Sequence, residues 1–194
     1  MGLDIIIPVV ILAVIMPLAF LWARSNLKDA GTSPIEPVEA PGGRLTSNAL
    51  RDVPSPPWRV VYEIGDDKLG DIEHVLIGPG GIFALQTSMD VLPGAPDPDP
   101  DARAIAEPAI ARGGLDDALA RCAMTSDRLV RIHWGVPVEG GPNALDVLPG
   151  LTAVAGRSIT DWVAGLPQDN LTDAQVDLAW QTVVTAIGRP DPLA

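Results

Sequence analysis

The chain has one cysteine and two histidines in 194 residues, and arginine far outnumbers lysine. A lone Cys122 allows no internal disulfide. One cysteine with the two scattered imidazoles of His74 and His133 is no zinc set. Positive charge is also scarce. Thirteen Lys and Arg stand against 25 Asp and Glu, a formal net charge of −12. Phosphate binding needs a basic surface, so this balance excludes a chain built to wrap nucleic acid and leaves room only for a local patch. The excess of Arg over Lys, with abundant Ala, Gly, Pro and Asp, is the bias of a GC-rich bacterial genome. Hydrophobic residues make up 47% of the chain, enough for a substantial core. The length suits one medium domain plus additional segments.

A second absence is of charge near the start. From Ile5 to Ala23 the chain reads "IIIPVVILAVIMPLAFLWA". As a helix this run reaches roughly 28 Å, close to the hydrocarbon thickness of a bilayer. Pro8 and Pro17 would be costly in a soluble helix but are tolerated in a membrane one. Trp22 stands where an interfacial aromatic belongs. A signal peptide would need a basic start and a small-residue cleavage site; here Asp4 precedes the run and no such site follows. Arg24 and Lys28 follow the run, and neither Lys nor Arg precedes it. Positive flanks stay inside. The expectation is a single-pass anchor in the inner cell membrane with the C-terminal domain in the cytoplasm.

Punctuation divides the rest. Residues 1–24 are the expected anchor. Residues 25–57, with "GTSPIEPVEAPGG" and "VPSPP", read as a Pro/Gly-rich tether with room for a short helix over Leu45–Val53. A domain over 58–188 and a tail over 189–194 follow. "WRVVYEI" (Trp58–Ile64) reads as a strand. "IEHVLIG" and "IFALQTS" flank Pro79-Gly80-Gly81, a hairpin signal. "LPGAPDPDPDA" is loop; its alternating Asp97, Asp99 and Asp101 could attract a cation, but a solvated loop is the simpler reading. Leu115 to about Ile132 reads as a helix, and "ALDVLPGLTAVAG" as one or two further strands. Ser158 and Asp161 suggest the start of a short helix. Thr172 with Gln175 forms a capping-box pattern ahead of a stripe of Val176, Ala179, Trp180, Val183, Val184 and Ile187, which places Trp180 in the core. Strands alternating with helices predict a mixed α/β domain with a central sheet.

The stretch "GDIEHVLIGPGGIFALQTS" (Gly70–Ser88) resembles the central motif of the nuclease-related domain (NERD) family. That motif runs Gly-Asp-Ile-Asp-His-Val, then Gly-Pro-x-Gly-Ile/Val-Phe, then Ile-Glu-x-Lys. "WRVVYEI" resembles the family's first strand, and "SITDWVAGLPQDNLTDAQVDLAWQTV" its C-terminal helices. The resemblance covers about 58–188, most specifically Gly70–Phe83. It implies a restriction-endonuclease-like mixed sheet flanked by helices. In active members, two carboxylates on adjacent strands hold Mg²⁺, and a lysine helps position or activate water. Mg²⁺ takes hard oxygen ligands, stabilises charge on the scissile phosphate and lowers the pKa of bound water.

Carried over position by position, the first metal-binding acid falls on Glu73, with Asp71 two residues earlier as an alternative on the same strand face. The second acid falls on Gln86, a neutral amide, and the lysine on Ser88. The acid that often opens the family's preceding helix falls at Gly43-Arg44, a base. Lys68 or Arg59 could replace the missing lysine. His74, on a buried strand, reads as a packing residue. Arg112, Arg121, Arg128 and Arg131 could meet a phosphate backbone, but between residues 103 and 133 five Arg face Glu107, Asp116, Asp117 and Asp127, which makes a weak footprint. Asp71, Glu73, Gln86 and Ser88 are therefore the vestigial site, with Glu73 and Asp71 its metal candidates. No cofactor is expected, and Mg²⁺ only if the domain is active. The leading expectation is a membrane-anchored binding or interaction domain that has lost catalysis, its partners being the membrane and a protein, with nucleic acid a minor prospect. The alternative is an anchored Mg²⁺-dependent nuclease with a displaced lysine.

Overall fold

The computed structural model describes residues 41–62, 64, 69 and 72–188. Six strands form one mixed sheet: β1 (Arg59–Val61), β2 (His74–Gly78), β3 (Gly81–Ser88), β4 (Arg128–His133), β5 (Ala144–Leu148) and β6 (Leu151–Ala155). Their order across the sheet is β1-β2-β3-β4-β6-β5. The trio β3, β4 and β6 runs parallel, and the other neighbours pair antiparallel. The expected mixed α/β domain with its sheet flanked by helices is present. The proposed membrane run at 5–23 lies outside the described residues. Among those residues no helix is long and apolar enough to cross a membrane.

Both faces of the sheet are covered. α1 (Pro41–Leu50) and α3 (Ile159–Ala164) pack on one face, where Leu50, Phe83, Leu85, Val130, Ile132, Ile159 and Val163 form a core. α2 (Ala102–Leu119) and α4 (Asp173–Ala186) cover the other, over Val75, Ile77, Ile82, Ala84, Leu115, Leu129 and Val183. Coverage on both sides explains why β2 and β6 are buried at every residue, the continuous apolar pattern of strands held between helix layers.

The hairpin β2–β3 closes as its sequence predicts, with Gly78 paired to Gly81. Its glycines are packing devices. A Cβ on Gly78 would overlap the Trp58 ring, and one on Gly80 would come within 2.8 Å of the Pro167 carbonyl oxygen and 2.9 Å of the Trp58 ring. Gly81 has φ +135°, and a Cβ there would strike the Asp127 carboxylate. That carboxylate accepts the Ile82 N–H at 2.6 Å. The turn is also tied to the α3–α4 loop: Asn170 donates its side-chain amide to Gly80 O at 2.9 Å, and the Leu171 N–H goes to Pro79 O at 3.0 Å.

Two expectations are corrected. The helix predicted over Leu115–Ile132 is instead α2, which begins far earlier because Asp101 caps it by accepting the Ala104 N–H. A 3₁₀ turn and Ala123 at φ 56° end it. Arg128–His133 is then a strand, since "RLVRIH" alternates side chains to two covered faces. Asp116 pins the junction by accepting from Ser126 N–H at 2.7 Å. Trp180 lies half-buried at the rim of the core, because its ring stacks under the Arg59 guanidinium 5.2 Å from the ring centre. The Thr172–Gln175 capping box forms as expected.

Gly78→Ala should destabilise the chain by about 1–3 kcal/mol, the cost of overpacking a filled site. Chemical denaturation checks this. A variant as stable as the parent would mean that Trp58 does not lie on the hairpin backbone.

Candidate functional site at the carboxyl edge of the sheet

Strands β3, β4 and β6 point their carboxyl ends, Ser88, His133 and Ala155, to one edge. Ligands of open α/β sheets bind outside such an edge. Glu73 joins it, because β2 runs antiparallel and Glu73 immediately precedes it, donating its N–H to Leu85 O at 2.9 Å. Glu73, Gln86 and Ser88 are therefore neighbours in the fold, but their side chains are engaged separately.

The Thr87 hydroxyl donates to the Glu73 carboxylate. Thr87 also meets the Thr46 hydroxyl at 2.9 Å, and Thr46 receives the Trp134 indole N–H at 2.9 Å. A threonine has one hydroxyl proton. With the Thr87 proton committed to Glu73, Thr46 must donate to Thr87. The chain therefore has one direction, Trp134 to Thr46 to Thr87 to Glu73, and ends on the carboxylate. It joins α1, β3, the residue after β4 and the start of β2. Thr46 is fully buried. Gly42 makes room for the join, since a Cβ there would come within 2.8 Å of the Thr87 methyl.

Gln86 and Ser88 flank Thr87 on β3 and so point to the opposite face. The Gln86 side-chain oxygen accepts from Arg131 at 3.2 Å, and Arg131 also pairs with Glu107 of α2 at 2.6 Å. The Ser88 hydroxyl donates to the Asp90 carboxylate at 3.0 Å. The positions carried over for two metal acids and a lysine thus fall into three separate hydrogen-bonded groups. Asp71 and Lys68 lie outside the described residues. Among those residues no group of three His, Cys, Asp or Glu side chains could hold a metal. The one carboxylate and the amide do not converge, so the described residues do not fit a Mg²⁺ centre.

The remaining candidates are also placed. Arg59 pairs with Asp177, and Arg44 is exposed on α1. Arg112, Arg121, Arg128 and Arg131 do not lie on one helix. Arg112 donates to Ser126 O at 3.1 Å, Arg128 pairs with Asp146 at 2.8 Å, and Arg131 is held as above. Arg121 alone stands exposed beyond the end of α2. Asp97 accepts the Asp99 N–H in a loop turn, and Asp101 caps α2. His74 is buried with its ring edge-on to Tyr62, centroids 5.9 Å apart. Burial pushes its pKa down to about 4. His133 is buried too, and burial lowers its pKa.

Thr46, Thr87 and Trp134 escaped the sequence reading. Thr87 lies between the two candidate positions on β3, Gln86 and Ser88, and nothing local shows that a helix forty residues upstream returns to it. No protein-family model matches this chain, nor does any curated protein or solved structure.

The direction of the chain sets a ranking. Thr87→Val keeps the shape but leaves the buried Thr46 proton without its acceptor, and should cost about 1–3 kcal/mol. Glu73→Gln retains an acceptor oxygen and should cost less, within about 1 kcal/mol. Urea denaturation of both variants would refute the chain if the order reversed.

The imidazoles set a pH dependence. The native state keeps His74 neutral down to about pH 4, whereas an unfolded histidine takes a proton near pH 6.5. The unfolded state therefore binds more protons between these values. The stability of the native state is full above about pH 6.5 and falls by up to about 1.4 kcal/mol per pH unit toward pH 4. In an NMR titration the His74 ring signal should show no inflection near 6.5. A His74 signal titrating there would contradict its burial.

Proposed function

We propose that this domain is a binding module with a nuclease-related, restriction-endonuclease-like fold and no catalytic set. A single transmembrane helix at 5–23 holds it at the cytoplasmic face of a bacterial inner membrane. The observation that carries the reading is the separation of Glu73, Gln86 and Ser88 into three hydrogen-bonded groups. A Mg²⁺ centre needs several oxygen ligands converging on one point, and catalytic groups that act as a unit fail when one is lost. Ser88 offers no cation where the family has its lysine. The fold can persist without the chemistry, because the hairpin that carries these positions is also the core of the sheet. The flanking Arg24 and Lys28 support the orientation.

Full-length chain in washed bacterial membranes should resist carbonate extraction. It should also give no Mg²⁺- or Mn²⁺-dependent cleavage of DNA or RNA above a Glu73→Ala control. Release by carbonate would overturn the anchor. Cleavage that disappears in Glu73→Ala would overturn the binding-module reading in favour of an anchored nuclease drawing on Asp71 or Lys68.

A further inference from the structure

The two edges of the sheet are finished differently. The β5 edge carries a bulge between Asp146 and Leu148, an ordinary way of blunting a free edge against further pairing. Among the described residues, strand β1 forms the other edge and pairs with β2 alone, through Arg59, Val60 and Val61. Along it runs an open cleft of about 300 Å³ lined by Arg51, Trp58, Arg59, Val60, Tyr62 and Trp180. Leu50, at the end of α1, also borders the cleft. With α1 on one face and Trp180 of α4 on the other, the cleft follows the edge itself.

Its charge is set against the rest of the molecule. In a chain of net charge −12, the lining residues with charge are two arginines. Arg59 is held by Asp177 and stacked on Trp180, so it braces one wall. Arg51 is exposed, and among the described residues it has no ion pair. Its charge reaches into the cleft: burial raises the pKa of the Tyr62 hydroxyl, and Arg51 pulls it back down. The cleft thus offers a short, three-residue strand edge, aromatic side chains along it and one guanidinium placed to pair with a carboxylate.

We propose that β1 is a docking edge for an extended acidic peptide segment of a partner protein, which adds as a seventh strand. Alternate side chains of the peptide face the aromatic walls, and a carboxylate between them pairs with Arg51. Main-chain hydrogen bonds supply affinity in such strand addition and the side-chain recesses supply selectivity. The proposal rests on the reading of the domain as a binding module and names its partner class.

The test uses the full chain in phospholipid nanodiscs, panned against a random nine-residue peptide library. Enriched sequences should carry Asp or Glu at alternate positions with apolar residues between. A synthetic peptide of the enriched sequence should bind at least about tenfold more weakly to Arg51→Glu, and as weakly again when alternate amides are N-methylated. Arg51 is exposed, so that substitution leaves the core intact. No enrichment over empty nanodiscs, or basic winners, overturns the proposal. So does binding indifferent to either change. Two chains per nanodisc, joined through this edge, would assign it to a second copy instead and likewise overturn it. The nuclease assay reads an independent property: cleavage would sink the binding-module reading without accounting for peptide bound at β1, and a failed panning leaves the cleavage result untouched.

Discussion

The contact between the Trp58 ring and the backbone of Gly78 and Gly80 holds the sheet in its arrangement. The indole is 3% exposed and touches Phe83, with ring centres 6.3 Å apart. Phe83 in turn meets Trp162 of α3 edge-on at 5.4 Å. One aromatic thus connects the segment entering β1, the central hairpin and the helix layer over it. The contact requires glycine, because any side chain at Gly78 would occupy the space of the ring. The Gly78-Pro79-Gly80-Gly81 turn therefore has a structural role: it floors an aromatic stack and positions Gly81 against Asp127.

With the hairpin fixed, the alternation of β3 distributes the chemistry. Thr87 faces α1, while Gln86 and Ser88 face the layer of α2 and α4. Glu73 stands at a bend before β2, where strand alternation no longer dictates direction, and its carboxylate turns to Thr87. Several polar groups at this edge then find a neighbour on their own side, while the buried Nδ1 of His133 has no hydrogen-bond partner among the described residues. Arg131 bridges Gln86 and Glu107, and Trp134 starts the proton-ordered chain that ends at Glu73. Such networks are worth most when every member is satisfied. Among the described residues, the polar groups of this edge are bound largely to one another.

Much of the fold was legible because its signals are local. The hairpin followed from a Pro-Gly-Gly turn between apolar runs, α4 from its capping box, and the strands β5 and β6 from the apolar residues on either side of Pro149-Gly150. The errors arose where a local signal admitted two readings. Between residues 115 and 132 the apolar residues suit a helical stripe, yet the segment breaks at Ala123 and continues as a strand because β3 and β6 leave a slot between them. Trp180 lies on the apolar stripe of α4, but at its rim, where Arg59 from β1 offers a cation to stack on. Periodicity gives the face of a residue and not its depth.

The sequence by itself determined the kinds of element, the glycines that the hairpin cannot replace, the scarcity of metal ligands and of positive charge, and the neutral side chains of Gln86 and Ser88. The tertiary structure alone decided which groups meet. Thr46 reaches Thr87 across forty-one positions, Arg131 reaches Gln86 across forty-five, and Arg59 reaches Asp177 across one hundred and eighteen. Such pairings depend on strand order and on which helix covers which face. Both are settled by burying apolar surface over the whole domain, a sum in which no single short stretch of sequence has a decisive share.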